Sequence, residues 1–136
     1  MELVKRNEIE EKIIILRGIP VILDSDVAAI YEVETRDINK AVKNNPDKFP
    51  KGYLFELDNK EFADLRWKSS TTNLTKTRVL PKAFTEKGLY MLATILKSKK
   101  ATERTIEINV AMAFKFKRTV KRSKKQKDID VSKQEI

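Results

Sequence analysis

The sequence predicts a single small α+β domain with short β-hairpins, paired short helices and a long C-terminal helix. Its 136 residues match the length of one compact domain. Two apolar runs, 13–16 and 19–23, are rich in β-branched residues and separated only by Arg17-Gly18, which is typical of a hairpin. Near the C-terminus, apolar residues recur every three to four positions over about 103–122, which predicts a long helix.

Two short helices are predicted directly after the hairpin. Side-chain oxygens at 24–26 can cap the first helix, which ends in a turn at Val33. Thr35 can cap the second helix, whose apolar residues lie on one face. The Asn-Asn-Pro sequence at 44–46 stops this second helix, because proline cannot continue it.

The middle of the chain alternates short strands with helices. An aromatic-rich strand is predicted at 53–57, and the Asp58-x-x-Glu61 motif resembles the capping box of a helix that runs to Trp67. The polar sequence KSSTTNLTKT that follows predicts an exposed loop. Pro81 restricts the next strand to a short one or to a sheet edge, and Thr85 opens another helix.

Composition excludes several classes of site. The chain contains neither histidine nor cysteine, so Ser-His-Asp triads, cysteine nucleophiles, structural zinc sites and disulfides are excluded. No apolar run is long enough to span a membrane, and the acidic start MELVKRNEIEE is unlike a signal peptide. We therefore expect a cytoplasmic protein, and we assign no cofactor or metal to it.

Charge is spread unevenly along the chain. The net charge is +9, with 12 basic and 14 acidic side chains in residues 1–68 against 17 basic and 6 acidic in 69–136. A general preference for lysine, which outnumbers arginine 21 to 8, is one explanation of the total; a polyanionic partner such as nucleic acid explains the clustering better. We place the folded domain at 1–120 and expect a basic, disordered tail at 121–136.

The paired helices have the layout of a helix-turn-helix with its turn at 32–34. Thr35, Arg36 and Asn39 lie in the first turns of the second helix, the part of a recognition helix that usually contacts base edges in the major groove. Arginine pairs with guanine and asparagine with adenine, while Lys40 and Lys43 would lie near phosphates. An amphipathic helical hairpin with a solvated polar face remains the alternative.

Several ordered motifs resemble one known family. These are the segment 17–36 with 38–42, Phe-Pro at 49–50 with Phe-x-Leu at 55–57, RVLPKAFTEKG at 78–88, and Asn-x-Ala-x-Ala-Phe at 109–114. Together they are similar to the phage ORF-six N-terminal domain, a relative of the KilA-N and BRO-N domains, over about residues 13–118.

That resemblance implies a small α+β DNA-binding domain of phages, prophages and mobile elements. Such domains often stand at the front of antirepressor-type or other transcription-regulating proteins, and the resemblance implies no catalysis. It would place the chain in the cytoplasm of a bacterial host, with double-stranded DNA as its main partner.

Further basic residues surround the predicted recognition helix. Arg66, Lys68, Lys76 and Arg78 frame a wing-like loop that could hold phosphates, which gives the domain a winged-helix-like layout; a merely solvated loop is the alternative. The basic tail would add affinity without sequence information. Its candidate residues are Lys117, Arg118, Lys121, Arg122, Lys124 and Lys125.

The final helix carries two apolar stripes. One stripe contains Ile106, Val110, Ala113 and Phe114, and the other contains Ile108, Met112 and Phe116. One stripe suffices for the core of the monomer. The second predicts a homodimer or a contact with a regulatory protein, although a deeply buried helix has the same pattern. A pure protein-interaction module acting through this helix is therefore the main alternative to a DNA reader.

Two further alternatives rest on fewer residues. RNA binding would use the aromatic side chains of Tyr53, Phe55 and Trp67 for stacking, although we expect Trp67 to lie in the core or to anchor a loop. A metal-dependent nuclease would use Asp47 and the Asp58-Asn59-Lys60 motif, but turn and capping roles explain these acids better.

Overall fold

The computed structural model describes the backbone of residues 6–68 and 79–134 and the side chains of 8–67 and 79–119. It is an α+β fold with a long C-terminal helix, as the sequence predicts. In chain order the elements are α1 (Arg6–Lys12), β1 (Ile13–Leu16), β2 (Ile19–Leu23), α2 (Asp24–Tyr31), α3 (Thr35–Asn44), a 3₁₀ turn (Pro46–Lys48), β3 (Leu54–Glu56), α4 (Asn59–Lys68), β4 (Lys82–Phe84), α5 (Glu86–Leu96) and α6 (Lys99–Gln134).

The predicted hairpin is confirmed with the expected strand bounds. β1 and β2 pair antiparallel, with Ile13 opposite Ile22 and Leu16 opposite Ile19. Arg17 and Gly18 form the two-residue turn with φ angles of 53° and 78°. Positive φ at both positions matches the twist of the strands, which is why so short a connection works here.

β4 lies inside the sheet. Within the described residues the sheet is antiparallel with the order β1-β2-β4-β3. The strand is short, as predicted, but the alternative of a sheet edge is wrong. Pro81 does not interfere because it precedes the paired residues, and its carbonyl oxygen accepts a hydrogen bond from the Leu57 amide at 3.0 Å.

The turn between α2 and α3 is tight and well capped. α2 ends at Tyr31 and is followed by its C-cap Glu32, which has a left-handed φ of 60°, and α3 follows after two more residues. The cap of α3 is Glu34, which corrects the prediction of Thr35. Glu34 and Asp37 form a reciprocal capping box, in which the Glu34 amide donates to the Asp37 carboxylate at 3.1 Å. α2 itself begins at Asp24 without a side-chain cap, although its first turn is acidic as expected.

The main core lies between the sheet and helices α2, α3, α5 and α6. Its largest buried side chains include Tyr31, Phe84, Leu92, Ile108 and Met112. The Tyr31 hydroxyl is hydrogen-bonded to the hydroxyl of Thr105, which joins α2 to α6. Burial raises the pKa of Tyr31 to about 12, because the ionised phenolate would be poorly solvated there.

α5 is fixed to the start of β3 by close backbone contact. Thr85 is its N-cap, as predicted, and the Thr85 hydroxyl donates to carbonyl oxygens of Gly52 and Tyr53 at 2.7 and 2.9 Å. Gly88 follows one turn later, where a Cβ atom would lie 2.0 Å from the Tyr53 carbonyl oxygen. Glycine is therefore required at position 88.

α6 is longer than predicted. It spans Lys99–Gln134 instead of about 103–122, so the backbone of most of the basic tail is helical. Lysine, arginine and glutamine favour helices, and no glycine or proline interrupts this part of the sequence. The side chains after Thr119 lie outside the described residues, and the division into a domain at 1–120 and a disordered tail stays a prediction.

α6 buries two of the three residues of one predicted apolar stripe and leaves the other stripe exposed. Ile108 and Met112 lie in the core, whereas Phe116 of the same stripe is 38% exposed. In the other stripe, Ile106, Val110 and Phe114 are 54%, 48% and 46% exposed. The alternative of a deeply buried helix is therefore wrong. Within the described ranges, no helix combines the length and apolar character that a membrane span requires.

Candidate nucleic-acid interface

α3 presents one apolar and one polar face. Ile38 and Ala41 are buried against the core, and α3 packs on both α2 and α5. Arg36, Lys40 and Lys43 lie on the exposed side of the helix. The capping box fixes where the helix begins, so these outward positions are set by local sequence together with the buried face.

The polar face of α3 forms one side of an open depression of about 690 Å³. Its lining carries four basic side chains and one acidic side chain, so the depression has an excess of positive charge. The lining residues are Arg36, Asp37, Asn39, Lys40, Val42, Lys43 and Lys82. The structure thus brings together four of the predicted DNA-binding residues; Thr35 is not among the lining residues.

Lys82 was not predicted from the sequence. It comes from β4, and its ammonium group donates a hydrogen bond to Oδ1 of Asn39 at 3.1 Å. On the sheet, Lys82 lies opposite Glu56 of β3. No local motif marks Lys82, because its role depends on the contact between β4 and a helix more than 40 residues earlier in the chain.

The acidic side chains near the depression are engaged in local contacts. The Asp37 carboxylate belongs to the capping box, and the Glu34 carboxylate contacts the Arg36 guanidinium at 2.6 Å. Arg36 is 85% exposed and Glu34 is 65% exposed. An exposed ion pair of this kind contributes about 0–1 kcal/mol, so Arg36 can leave Glu34 for a ligand at small cost.

The predicted wing lies largely outside the described residues. Arg66 is exposed on α4, with its guanidinium 5.2 Å from the centre of the Phe62 ring. The Lys68 side chain and all of Lys76 and Arg78 fall outside the described part of the chain. The phosphate-binding role assigned to this loop therefore stays a prediction.

The basic tail is described only at its start. Lys117 and Arg118 are exposed, and the Arg118 guanidinium contacts the Glu10 carboxylate at 2.6 Å. Nearby, the Lys115 ammonium donates to the carbonyl oxygens of Glu10 and Ile13, which fastens α1 to α6. The side chains of Lys121, Arg122, Lys124 and Lys125 lie outside the described residues.

The aromatic residues considered for RNA stacking occupy different environments. Trp67 is 90% exposed, so the expectation that it lies in the core or anchors a loop is wrong. Phe55 is half-buried, and the Arg17 guanidinium lies 4.0 Å from the centre of its ring. Tyr53 is half-buried at the start of β3. These three side chains therefore do not form a shared exposed aromatic platform.

Of the two acids considered for a nuclease, Asp47 is exposed in the 3₁₀ turn and Asp58 has a structural partner. The Asp58 carboxylate accepts a hydrogen bond from the Glu61 amide at 2.7 Å, and the Glu61 carboxylate accepts one from the Asp58 amide at 3.0 Å, so the predicted capping box is confirmed. The Arg17 guanidinium also contacts Glu61 at 2.9 Å and, by that hydrogen bond, lowers the pKa of the Glu61 carboxyl. In the described part of the chain, no group of three or more acids is placed to hold a metal ion.

Comparison with protein families finds a match for this chain. The model of the ORF6N domain matches residues 11–95, which is more than half of the chain. This range contains the paired helices α2 and α3 and the strand β4. The resembling motif at 109–114 lies beyond the matched range. Comparisons with curated proteins and with solved structures find no match. The family match includes the whole depression on α3, and the chain belongs to the ORF6N domain family.

Proposed function

We propose that this chain binds double-stranded DNA in a sequence-specific way, as a regulatory domain of phage or prophage type, with the polar face of α3 in the major groove. The observation that supports this most strongly is the depression in which Arg36, Asn39, Lys40, Lys43 and Lys82 converge. Basic side chains around an amide at the start of an exposed helix provide both phosphate attraction and base recognition. The proposal involves no catalytic step.

Each residue has a distinct role in this proposal. Arg36 leaves its weak pair with Glu34 and donates two hydrogen bonds to a guanine. Lys40 and Lys43 are exposed on the following turns and contact phosphates, which adds affinity but little sequence information. Thr35, in the first turn of α3, adds a hydroxyl for a base or phosphate contact.

Asn39 is the second base reader, and its hydrogen bond with Lys82 affects which groups of the amide can contact a base. A carboxamide reads adenine in the bidentate manner by accepting from N6 and donating to N7. Oδ1 of Asn39 accepts one hydrogen bond from Lys82, which occupies one of its two lone pairs, whereas the NH₂ group keeps both of its donors for a ligand. We therefore expect Asn39 to favour a base that presents acceptors in the major groove, such as guanine or thymine.

Arg118 would add a phosphate contact outside the depression, as would Arg66 on α4 and, in a monomer, Lys117. None of these three residues lines the depression. They would therefore strengthen binding to every duplex alike, as would the basic residues predicted for the loop and the tail.

The proposal is tested by selecting preferred duplexes from a random pool and measuring their affinity by fluorescence anisotropy. Arg36→Lys keeps the charge but removes the bidentate fork, so it should reduce preference for the selected duplex by about 1–3 kcal/mol. Lys87→Ala, an exposed lysine of α5 outside the depression, is the matched control and should leave preference unchanged. Equal preference in the wild-type protein and Arg36→Lys would contradict the role of Arg36.

A protein-interaction module acting through α6 is the second candidate function. The exposed stripe of Ile106, Val110 and Phe114 supports it. It predicts that no duplex is enriched over random sequence, and that binding to a regulatory protein depends on the stripe. The selection experiment therefore separates the two functions.

A further inference from the structure

The exposed side of α6 has a pattern that repeats symmetrically about Val110. Ile106 and Phe114 lie four residues before and after Val110, and Glu103 and Lys117 lie seven residues before and after it. At 3.6 residues per turn, all four positions fall within about 40° of Val110 around the helix axis. They therefore form one strip, which we call the α6 strip.

The α6 strip has an apolar centre and charged ends of opposite sign. Ile106, Val110 and Phe114 are about half exposed, although α6 is packed on the core through its other side. Exposed Ala113 lies beside Val110 and is small enough to let another helix approach closely. Glu103 and Lys117 make no ion pair among the described side chains, so both charges are available for a partner.

We propose that two copies of this chain associate through the α6 strip, antiparallel, about a two-fold axis that passes near Val110. In this arrangement Val110 contacts its own copy in the partner, and Ile106 packs against the partner's Phe114. Glu103 then lies opposite the partner's Lys117, and the reverse pair forms on the other side. Such self-complementarity is what a two-fold interface requires.

Charge selects the antiparallel orientation over the parallel one. In a parallel, in-register pair, each Glu103 would face the Glu103 of the other copy, and each Lys117 would face a lysine. Like charges placed opposite each other destabilise an interface, whereas the antiparallel pair makes two favourable contacts. The charged positions lie about 10 Å from Val110 along the axis, so both pairs fit beside one apolar contact.

A single helix pair buries less surface than a large obligate interface. Stable specific interfaces bury about 1,200–2,000 Å² in total, and three half-exposed side chains with their flanking charges would bury less than this. We therefore expect dimer formation to depend on protein concentration. This proposal does not depend on DNA binding, and its test contains no DNA.

Sedimentation equilibrium of the full chain over a concentration series tests the association. The wild-type protein should fit a monomer–dimer equilibrium, and Val110→Glu should weaken it at least tenfold by placing two carboxylates at the centre. Ala63→Glu adds the same charge at an exposed position of α4 and should leave the equilibrium unchanged. Far-UV circular dichroism of both variants checks that they are folded. A wild-type protein that stays monomeric throughout, or a dimer that Val110→Glu does not weaken, would overturn the proposal.

Cysteine cross-linking tests the orientation, because the chain contains no native cysteine. Val110→Cys alone should form a disulfide-linked dimer under mild oxidation. Glu103→Cys alone should not form a disulfide-linked dimer. A mixture of Glu103→Cys with Lys117→Cys should form a disulfide between one copy of each variant. Efficient cross-linking of Glu103→Cys with itself would indicate a parallel pair and overturn the antiparallel arrangement. A monomer that captures a different protein through the strip would likewise overturn self-association.

Discussion

The Lys82 ammonium donates a hydrogen bond to Oδ1 of Asn39 over 3.1 Å and so links β4 to α3. Both residues line the same open depression. The contact connects the interior of the sheet to the exposed face of a helix, and it engages the acceptor atom of the Asn39 amide. A lysine of the sheet thereby influences which hydrogen-bonding groups α3 can offer to a ligand.

Lys82→Met should change base preference as well as affinity. The substitution keeps much of the side-chain volume but removes the Lys82 donor from Oδ1 of Asn39, so both lone pairs are open and the amide accepts more readily from adenine. We expect the preference at one base position to shift by about 1–3 kcal/mol, measured with duplexes that differ only at that position. If Lys82→Met weakens binding to all duplexes equally, Lys82 acts only as a phosphate contact.

Lys40→Ala and Lys43→Ala should weaken duplex binding without changing sequence preference. Each lysine neutralises one phosphate in the proposed complex, so each variant should reduce the slope of log K against log salt by about 1. Anisotropy titrations at several salt concentrations measure this slope, with Lys87→Ala as the control. An unchanged slope in both variants would place the DNA away from α3.

Tyr31 should make stability fall at high pH. Its folded pKa is about 12 against an ordinary value of 10.0, so its contribution is fully present below pH 10 and is lost as pH rises from 10 through 12. The full loss corresponds to about 3 kcal/mol. Urea unfolding of the wild-type protein and Tyr31→Phe at pH 7, 10 and 12 isolates the effect.

The difference in stability between the wild-type protein and Tyr31→Phe should change sign between pH 7 and pH 12. At pH 7, Tyr31→Phe should be less stable by about 1–2 kcal/mol, since the buried Thr105 hydroxyl loses its partner. Near pH 12 the phenylalanine variant should be the more stable protein. A constant difference across this range would contradict the buried environment of Tyr31.

Gly88→Ala should destabilise the domain by about 3 kcal/mol. The added Cβ atom would lie 2.0 Å from the Tyr53 carbonyl oxygen, so the backbone of α5 or of the segment before β3 must move. Lys87→Ala changes the neighbouring exposed position and should alter stability by no more than about 0.5 kcal/mol. Urea denaturation compares the two variants, and equal stabilities would show that the contact with Tyr53 relaxes freely.

Features determined by neighbouring residues were predictable from the sequence. The hairpin turn at Arg17-Gly18, the capping box of Asp58 and Glu61 and the cap at Thr85 each depend on a few consecutive residues. The apolar face of α3 and the clustering of Arg36, Asn39, Lys40 and Lys43 also follow from helical spacing alone.

Features determined by tertiary contacts could not be predicted from the sequence. α1 is short and polar, and it is held by hydrogen bonds from Lys115, more than 100 residues later in the chain. The position of β4 inside the sheet and the contact of Lys82 with Asn39 depend on pairings between residues at least 26 positions apart in the chain. At the start of α3, two acids in a reciprocal box occupy the cap position that Thr35 was expected to fill.

Sequence-specific DNA binding is tested by competition between a selected duplex and random duplex at physiological salt. We expect the wild-type protein to prefer the selected duplex by a factor of about 10³ or more. We expect the combined variant Arg36→Ala with Asn39→Ala to lose most of that preference while it stays folded by circular dichroism. Equal affinity of the wild-type protein for the two duplexes would show that α3 does not read DNA sequence.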